Sequence, residues 1–375
     1  MNYDFIIIGA GLFGSVIAEQ ITTNYNKKVL IIDRRSHIGG NCQSEIDQRT
    51  GIEFHKYGTH IFHTSKEEAY NYFTKFSKLN NYRHQVLSKF KNNVYQMPIN
   101  LETINAIYKK NFTPFEAQKF IESEIKKEKI NNPKNFEEKA ISMVGYKIYK
   151  YLLKGYTEKQ WGKNPKNLPS TIINRIPVRY NYNEDYFKNS LWQGIPIEGY
   201  NGFFKNILSN KKITIKLNCN FNLNDFDPNT PTLYTGPLDS LFENKYGKLE
   251  WRSVKFKKKY INLYDFQGNS VINYPDKKIS FTRIHEPRHL HPERSYGKKN
   301  LIIYEFPTIN AKEPYYPIND DINRKKYKKY KSEAERFKNF FIGGRLADYA
   351  YYDMDMTIIA ALNLYNKKIK KLFSS

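Results

Sequence analysis

The feature that most constrains the fold is a glycine-rich turn near the amino terminus. The segment GAGLFG, residues 9–14, follows an apolar run over residues 3–8 and precedes a helical stretch over about residues 15–22. A second apolar run, KVLIID, ends in Asp33. The G-x-G-x-x-G pattern lets the backbone approach a pyrophosphate, and the helix then faces the phosphates with its positive end. In this context the pattern predicts a βαβ unit that binds a dinucleotide, with Asp33 on a ribose hydroxyl.

The residues after this acid bear on which dinucleotide binds. The segment DRRSHIGGN, residues 33–41, contains a second glycine pair, Gly39–Gly40, and this pair favours FAD over the cofactor of an NAD dehydrogenase. Arg34 and Arg35 leave an alternative open, because two cations at this point suit the 2′-phosphate of NADP. We predict FAD from these residues.

Length and charge set the broad class of protein. A chain of 375 residues is longer than one compact core usually supports, so two or three structural units are expected. The formal charge of +24 permits an anionic partner, but much of it lies in lysine runs such as KFKKKY, which are typical of plain surface. We do not expect nucleic-acid binding, because no nucleic-acid motif accompanies the charge.

Cysteine usage and the amino terminus bear on location. Cys42 and Cys219 lie far apart and without metal-ligand spacing, so we expect no disulfide framework and a reducing compartment. The first residues lack a basic leader, and no apolar run approaches the length of a membrane span. The sequence therefore predicts a cytoplasmic protein without integral membrane association.

The middle of the chain is typical of helices. Four helix starts carry residues whose side chains can cap free backbone N–H groups. They are Ser65 with Glu68, Asn100, Thr113 with Pro114 and Glu116, and Asn135 with Glu138. The pattern predicts a helical insertion over about residues 65–160, with its last helix ending near Gly155. A loop is predicted after Trp161, where three prolines follow.

The last third of the sequence predicts a second layer of the fold, made of antiparallel strands and a final helix. Between about residues 251 and 306, short runs such as YINLYDF, SVINY and LIIYEF alternate with turn residues, which indicates antiparallel strands. The segment MTIIAALNLYNKKIKKLF, residues 356–373, has apolar residues near helical period and predicts a final helix.

Two aromatic residues stand in the polar segment KGYTEKQWG, residues 154–162. A spacing of five residues puts Tyr156 and Trp161 on no common face of a helix or strand. Two hypotheses follow: two separate core anchors at a helix end, or a pair of rings that bind something flat. The residues alone do not decide between them.

Ten motifs occur in order along essentially the whole chain: GAGLFG, HIGGN, YGTHIFHT, KGYTEKQWG, RIPVR, YTGP, TRI, EPYYPIN, FIGGRL and YYDM. Together they resemble the bacterial UDP-galactopyranose mutases. The resemblance implies an α/β protein: a Rossmann-like FAD-binding domain with a helical-bundle insertion and an antiparallel β-sheet domain. It places the FAD-binding domain at residues 1–75, 195–245 and 325–375. It places the helical substrate and dimer domain at 76–175, with a mobile loop at about 165–180, and the β-sheet domain at 176–194 and 246–324.

The resemblance also implies site residues. For FAD they are Gly9, Gly11, Phe13, Gly14, Asp33, Arg34, Gly40, Asn41, His60, Arg345, Asp353 and Met354. For the substrate they are Tyr156, Trp161, Arg175, Tyr186, Arg283, Tyr316 and Tyr351, with a slip from Tyr316 to Tyr315 left open. Arg175, Arg283, His60 and Tyr351 are the predicted catalytic residues. The H-x-x-H pair His60 and His63 suggests a metal, but nearby residues add no convincing ligand, so none is predicted.

The function implied is a flavin-dependent mutase that interconverts the pyranose and furanose forms of a UDP-sugar. The sugar is galactose or an analogue such as N-acetylgalactosamine or arabinose. Reduced FAD is the nucleophile at the anomeric carbon, Tyr156 stacks on uracil, and a homodimer supplying furanose for capsular or other surface polysaccharide is expected. The alternatives are an FAD-dependent oxidoreductase of amine-oxidase type and a basic protein that binds RNA or a sugar nucleotide without catalysis.

Overall fold

A computed structural model describes residues 2–175, 177–308 and 313–374, with the backbone alone for residues 174 and 175. In chain order its strands are β1 (Phe5–Ile8), β2 (Val29–Ile32), β3 (Ser44–Ile46), β4 (Glu53–His55), β5 (Phe62–Thr64), β6 (Val86–Phe90), β7 (Asn93–Met97), β8 (Trp192–Gly194), β9 (Ile213–Lys216), β10 (Thr232–Tyr234), β11 (Trp251–Ile261), β12 (Val271–Asn273), β13 (Arg283–His285), β14 (Asn300–Thr308), β15 (Tyr316–Pro317) and β16 (Phe340–Ile342).

The α-helices are α1 (Leu12–Tyr25), α2 (Glu67–Thr74), α3 (Leu101–Tyr108), α4 (Pro114–Lys127), α5 (Phe136–Ile148), α6 (Lys154–Trp161), α7 (Gly199–Ile207), α8 (Leu238–Leu241), α9 (Asp321–Ala334) and α10 (Met354–Leu364). The predicted first helix is therefore longer at both ends than residues 15–22. The predicted final helix begins at Met354 and continues into a π-helical turn, Tyr365–Ile369.

Five parallel strands form the first sheet, in the order β16-β10-β1-β2-β9. Its central strand β1 reads FIII, with Phe5 and Ile7 fully buried, as expected for a parallel strand covered on both faces. The helices α1 and α10 pack against each other beside this sheet. Strand order reverses at β1, so the carboxyl ends of β1, β2 and β10 surround the crevice where such sheets bind ligands.

Seven strands form the second sheet, in the order β15-β11-β14-β13-β12-β6-β7. All of its pairings are antiparallel except the parallel contact between β12 and β6. The antiparallel layer predicted for residues 251–306 is therefore present. The run YINLYDF was placed too late, because β11 covers residues 251–261 and most of that run follows the strand.

The hairpin of β6 and β7 lies inside the segment that the cap signals assign to helices. It joins the second sheet through β12, where Ile272 lies opposite Leu87. The two strands read VLSKF and NVYQM, and β-branched and aromatic residues in both favour a strand, although neither segment shows a strict alternation of apolar and polar side chains. The expectation of an uninterrupted helical insertion is wrong over these residues.

Three of the four predicted helix caps are present. Asn100 accepts from the Thr103 N–H, Asn135 accepts from the Glu138 N–H, and Thr113 forms a reciprocal capping box with Glu116. The cap predicted at Ser65 is wrong, because α2 begins at Glu67 and its N-cap residue is Lys66. The hydroxyl of Thr64 instead accepts from the Lys66 N–H at 2.9 Å.

The helical segment does not end near Gly155. After α5, which kinks at Gly145 (φ 75°), a π-helical turn over Tyr149–Leu153 leads directly into α6, and this helix ends at Gly162 with φ 61°. Gly155 lies inside α6 and is buried. The segment KGYTEKQW is therefore a helix.

Within residues 2–175, 177–308 and 313–374, none of the helices combines the length and the apolar character that crossing a bilayer requires. The loop predicted after Trp161 contains two short 3-10 helices, Pro165–Asn167 and Ser170–Arg175. Its mobility stays a prediction.

Candidate functional site

A cavity of about 1000 Å³ opens between the carboxyl edge of the first sheet and the face of the second. Its wall includes the predicted dinucleotide residues Gly9, Gly11, Phe13, Gly14, Asp33, Arg34, Gly40, Asn41, His60, Arg345, Asp353 and Met354. It also includes four predicted substrate residues, Tyr186, Arg283, Tyr316 and Tyr351. The structure therefore brings the predicted dinucleotide residues and four of the seven predicted substrate residues into one continuous space, whereas Tyr156 and Trp161 are not among the residues that line it.

Two glycine turns meet at the first-sheet end of the cavity. A Cβ on Gly40 would lie 3.1 Å from the Cα of Gly11, and one on Gly14 would lie 2.2 Å from the Gly9 carbonyl oxygen. The turns are joined by a hydrogen bond from the Gly39 N–H to the Ala10 carbonyl, 2.8 Å long. A pyrophosphate can approach the backbone here because the wall carries no side chain at these points.

The carboxylate of Asp33 closes the same turn. Its Oδ2 accepts from the Ala10 N–H and its Oδ1 accepts from the Arg35 N–H, both at 2.8 Å. Each oxygen keeps a second lone pair that can accept from a ribose hydroxyl. This geometry is compatible with the predicted role.

The two arginines after Asp33 are already paired. Arg34 and Arg35 both contact the carboxylate of Glu313, and Arg35 also donates to Asn41 Oδ1 at 2.9 Å. The guanidinium of Arg35 lies 4.6 Å from the Tyr57 ring centroid. A 2′-phosphate would have to share these cations with the Glu313 carboxylate, so the pairing disfavours the NADP alternative and favours FAD.

Two helix amino termini point toward the cavity. The N-cap residues, Gly11 for α1 and Asp353 for α10, make no side-chain bond to the first turn, although in α10 the Met356 N–H donates to Asp355 Oδ1 at 2.7 Å. The N–H groups of a first helical turn lack intrahelical partners and attract negative charge. A bound anion at these ends would satisfy them.

His60 is held as a neutral ring. Burial lowers its pKa to about 4. Its Nδ1 lies 2.7 Å from the Gly58 carbonyl, which can only accept, so Nδ1 carries the proton and Nε2 is left as an acceptor. The backbone N–H of His60 donates to His55 Nδ1 at 2.9 Å, which fixes the loop.

A second group of rings stands nearby on the cavity wall. His63 stacks on Phe187 with 3.6 Å between ring centroids and an interplanar angle of 11°. His84 packs edge-on against Tyr186 at 5.1 Å, and its Nδ1 lies 2.9 Å from the Tyr82 hydroxyl. Burial lowers the pKa of His84 to about 3, so this ring is also neutral.

A buried ionic network lies at the second-sheet end. Glu305, on β14, lies 3.3 Å from Nη1 of Arg283 and 3.0 Å from Nε2 of His285, both on β13. Burial would raise the pKa of Glu305, but Arg283 and the hydrogen bond from His285 lower it to about 2. The other ring nitrogen of His285 accepts from the Thr59 hydroxyl at 2.8 Å. Arg283 is thus oriented by an ionised carboxylate.

The tyrosines of the motif EPYYP have different surroundings. Tyr316 faces Tyr351 with near-parallel rings, 6.1 Å between centroids and 12° between planes. Tyr315 lies on the side of Tyr57, and its carbonyl accepts from Arg345. Both tyrosines line the cavity, and the partnership with Tyr351 favours Tyr316 as the substrate residue.

Tyr156 lies beside Arg283, whose guanidinium carbon is 5.6 Å from the centroid of its ring. Burial raises the pKa of Tyr156, and its hydroxyl has no hydrogen-bond partner among the described residues. Trp161 packs against the apolar core of the helical segment. The two rings are therefore in different surroundings: Tyr156 lies beside Arg283 without being part of the cavity wall, and Trp161 anchors the helix in the core. The side chain of Arg175 lies outside the described residues.

The metal hypothesis gains nothing from the geometry. His60 and His63 contact the Gly58 carbonyl and the Ser190 hydroxyl through their Nδ1 atoms. In the described part of the chain, the one grouping of three potential ligands is Asp265, Glu286 and His289, which includes neither of these histidines.

Comparison with known proteins decides the family. A family model described as UDP-galactopyranose mutase matches residues 151–351, more than half of the chain. The chain belongs to the UDP-galactopyranose mutase family. A model described as an NAD(P)-binding Rossmann-like domain matches residues 7–76. The predicted family, the α/β fold class and the assignment as an isomerase are confirmed, and family and fold together imply a flavin cofactor.

Relatives of the mutase family cover nearly the whole chain. A protein from Escherichia coli named dTDP-fucopyranose mutase is 37% identical over 373 residues, which is 97% of this chain and 98% of the relative. A probable UDP-galactopyranose mutase from Klebsiella pneumoniae is 38% identical over 363 residues, or 96% of this chain and 93% of the relative. A crystal structure of reduced UDP-galactopyranose mutase superposes with a TM-score of 0.73 at 13% identity, covering 99% of this chain and 94% of that chain, and supports the fold.

Sequence reasoning missed several wall residues of this mutase-family cavity: Thr59, His84, Phe187, His285 and Glu305. Local signals were available for two of them, His285 and Glu305. His285 shares a strand face with Arg283 because side chains two apart point the same way, and a glutamate inside the apolar run LIIYEF requires a buried partner. Their pairing depends on the register that sets Glu305 opposite Arg283, which no local pattern indicates.

Proposed function

We propose that the protein is a flavin-dependent mutase that interconverts the pyranose and furanose forms of a UDP-sugar. The observation that carries the proposal is the single cavity. It has a dinucleotide-type glycine turn at one end and an arginine–tyrosine cluster at the other. A cofactor held by the turn extends toward a substrate whose diphosphate contacts the cluster.

The residues of the first-sheet end fit FAD. The glycine turns leave room for the pyrophosphate, the amino terminus of α1 attracts its charge, and Asp33 has free lone pairs for a ribose hydroxyl; the amino terminus of α10 is proposed to face the flavin ring. When bound and reduced, the flavin supplies a nucleophilic nitrogen for the anomeric carbon of the sugar. His60 is proposed to pack beside it as a neutral acceptor.

Arg283 and the phenols are proposed to bind the diphosphate. The rigid fork of an arginine suits phosphate oxygens, and Glu305 holds that fork in place before substrate arrives. Burial raises the pKa of Tyr316, so its hydroxyl stays protonated and can donate. These groups stabilise the negative charge that develops on the departing UDP, and this lowers the barrier. They also hold the UDP in place so that it can bond again to the anomeric carbon after ring closure. Arg175, Tyr186 and Tyr351 are proposed to share this role.

Tyr156 is proposed to stack on uracil, with Trp161 nearby. A base presents a flat π-face, and one aromatic stack contributes about 1–3 kcal/mol. Its hydroxyl, which lacks a partner among the residues described, is then free to bond to the nucleotide.

The test is an assay of UDP-galactose with and without dithionite. Purified enzyme should retain a yellow flavin and form a furanose product in the reduced sample alone. Oxygen consumption with an oxidised product would favour an oxidoreductase of amine-oxidase type and overturn the proposal. A protein that retains no flavin would overturn it as well.

A panel of sugar nucleotides is needed to determine which sugar and which base the enzyme prefers. UDP-galactose, UDP-N-acetylgalactosamine, UDP-arabinose and a dTDP-linked sugar should be compared with reduced enzyme, because the Escherichia coli relative is named for a dTDP sugar. We propose UDP-galactose or a close analogue, so the highest kcat/KM is expected for a UDP-sugar. Homodimer formation, a cytoplasmic location, the three domain boundaries and a role in polysaccharide supply remain predictions from the resemblance.

A further inference from the structure

The ammonium group of Lys159 is surrounded by backbone carbonyls. It donates to the carbonyls of Asp276, Ile279 and Phe281 at 3.0, 3.0 and 2.8 Å, and it also contacts the Tyr274 carbonyl. All four carbonyls belong to the turn that connects β12 and β13. An ammonium has three N–H donors, so this one is saturated by a single loop.

The lysine joins two elements that carry proposed substrate residues. On α6, Lys159 follows Tyr156 by three positions, so the two side chains lie on neighbouring parts of one helix face. On the turn, Phe281 precedes Arg283 by two positions along the chain. The guanidinium carbon of Arg283 and the Tyr156 ring then lie 5.6 Å apart. Lys159 thus joins the support of the ring to the support of the cation, beside the Lys277–Glu158 ion pair that connects the same two elements.

The helix α6 and the β12–β13 turn lie in direct backbone contact near Lys159. A Cβ on Gly155 would lie 2.2 Å from the Pro275 carbonyl oxygen, so only glycine allows the helix backbone to come so near. Without the lysine, the carbonyls of the turn would lose their charged donor at a partly buried site. Burial lowers the pKa of Lys159 to about 8, so the group is charged at neutral pH.

Gln160, which follows Lys159 at the carboxyl-terminal end of α6, is held separately. Arg252, from β11, donates through Nε and Nη2 to the Gln160 carbonyl at 3.0 and 2.8 Å. The neighbouring charges around Lys159 are the Asp276 carboxylate and the ion pair of Lys277 with Glu158. The helix end therefore stays anchored when Lys159 alone is changed, and the fold should survive the change.

We propose that Lys159 is a positioning residue for substrate binding: through the four turn carbonyls it fixes the distance between Tyr156 and Arg283, and hence between the base and diphosphate contacts. The proposal rests on the proposed function, which gives these two residues their ligands. In this proposal the Lys159 side chain contacts neither the substrate nor the flavin. Its substitution should therefore change substrate affinity more than the rate of the chemical step.

The first test is Lys159→Met, with Lys163→Met as the matched control, because Lys163 is exposed just past the same helix. UDP affinity is measured calorimetrically on the flavin-loaded enzyme, and KM and kcat on the reduced enzyme. We expect the Kd for UDP and the KM to rise about tenfold while kcat changes less than about threefold. Flavin content should stay at the wild-type value, and the control should match wild type in every measurement.

The second test is rescue of Lys159→Ala by propylammonium, which restores the atoms that the substitution removes. Tetramethylammonium has no N–H donor and serves as the control cation. Recovery of UDP affinity with propylammonium alone supports the proposal. Wild-type UDP affinity in both unrescued variants overturns it, as does equal recovery with the two cations.

Failure of the proposed function is distinguishable from failure of this inference. If wild-type enzyme isomerises no sugar nucleotide but Lys159→Met still weakens UDP binding, the assignment of Lys159 is supported and the mutase proposal is overturned. If wild-type enzyme is an active mutase and Lys159→Met equals it in Kd and KM, only the assignment of Lys159 is overturned.

Discussion

Glu305 lies directly opposite Arg283 in the register of β13 and β14, and its carboxylate is 3.3 Å from the guanidinium. Both groups face the cavity, and Glu305 is 3% exposed. A buried carboxylate that accepts from an arginine, a histidine and a threonine hydroxyl fixes the direction of all three donors. The arginine is therefore rigid before any ligand binds.

Replacing Glu305 by Gln keeps the size and shape of the side chain and removes its negative charge. Arg283 and His285 then lose an ionised acceptor, and we expect the free energy of unfolding to fall by about 3 kcal/mol, as when one partner of a buried ion pair is removed. We also expect kcat/KM to fall about tenfold. Urea unfolding and a mutase assay measure the two effects. Glu335→Gln, in an exposed pair with Lys331, is the control and should change neither.

Substitutions at Tyr156 separate its ring from its hydroxyl. Tyr156→Ala removes the proposed stack and should weaken UDP binding by about 1–3 kcal/mol. Tyr156→Phe keeps the ring, so it should lose only the contribution of a hydrogen bond to the nucleotide, about 1 kcal/mol. Calorimetry with UDP gives both numbers. Equal affinity in Tyr156→Ala and wild type would remove this residue from the proposed site.

Two glycines of the first turn should respond differently to alanine. A Cβ on Gly9 would lie 2.0 Å from the Thr235 hydroxyl, with φ +117°, so Gly9→Ala should destabilise the fold itself. A Cβ on Gly11 would meet its nearest atom at 3.8 Å, so Gly11→Ala should fold normally. It should nevertheless lose flavin, because the methyl group lies where the pyrophosphate approaches. Thermal unfolding and the flavin absorbance of each purified variant test the contrast. Full flavin content in Gly11→Ala would contradict the assignment of this turn to the pyrophosphate.

Two buried histidines predict a loss of stability in mild acid. Burial lowers the pKa of His55 and of His84 to about 3, whereas an unfolded histidine has a pKa near 6.5. Below about pH 6.5 the unfolded chain binds more protons, so the free energy of unfolding falls by about 1.4 kcal/mol per residue between about pH 7.5 and 5.5. Urea titrations at both values measure the total. His84→Gln should reduce the loss by one such increment, and an unchanged loss would show that His84 is charged or exposed.

Local features of the fold could be predicted from the sequence. Asn100, Thr113 and Asn135 cap their helices because a short polar side chain before a helical run has a backbone N–H within reach. Ser65 carries the same signal and fails, because Thr64 bonds to the Lys66 N–H and the helix starts later. The Thr64 hydroxyl binds the N–H of the N-cap residue Lys66, which makes no side-chain cap bond of its own, so the start of α2 does not follow from the local polar pattern.

Many residues of the cavity wall could be named from the sequence, but their arrangement could not. The glycine turn could be inferred from residues 3–33, the glycines together with the flanking strand, helix and Asp33, because these elements follow one another directly along the chain. The opposition of Arg283 and Glu305, the stack of His63 on Phe187 and the carbonyl cage around Lys159 join residues far apart in the chain. Periodicity cannot indicate such contacts, because they follow from strand register and helix docking.

The order of the first sheet has a consequence for synthesis. The strand β1 receives β2 early, but its other neighbour, β10, begins only at Thr232. At ribosomal speeds the backbone N–H and C=O groups along one edge of β1 stay unpaired for roughly ten to forty seconds while the chain up to β10 is translated. An open strand edge recruits strands of other chains. A nascent chain cut short before β10 should therefore aggregate, and chaperones that shield strand edges should bind the growing polypeptide during this interval.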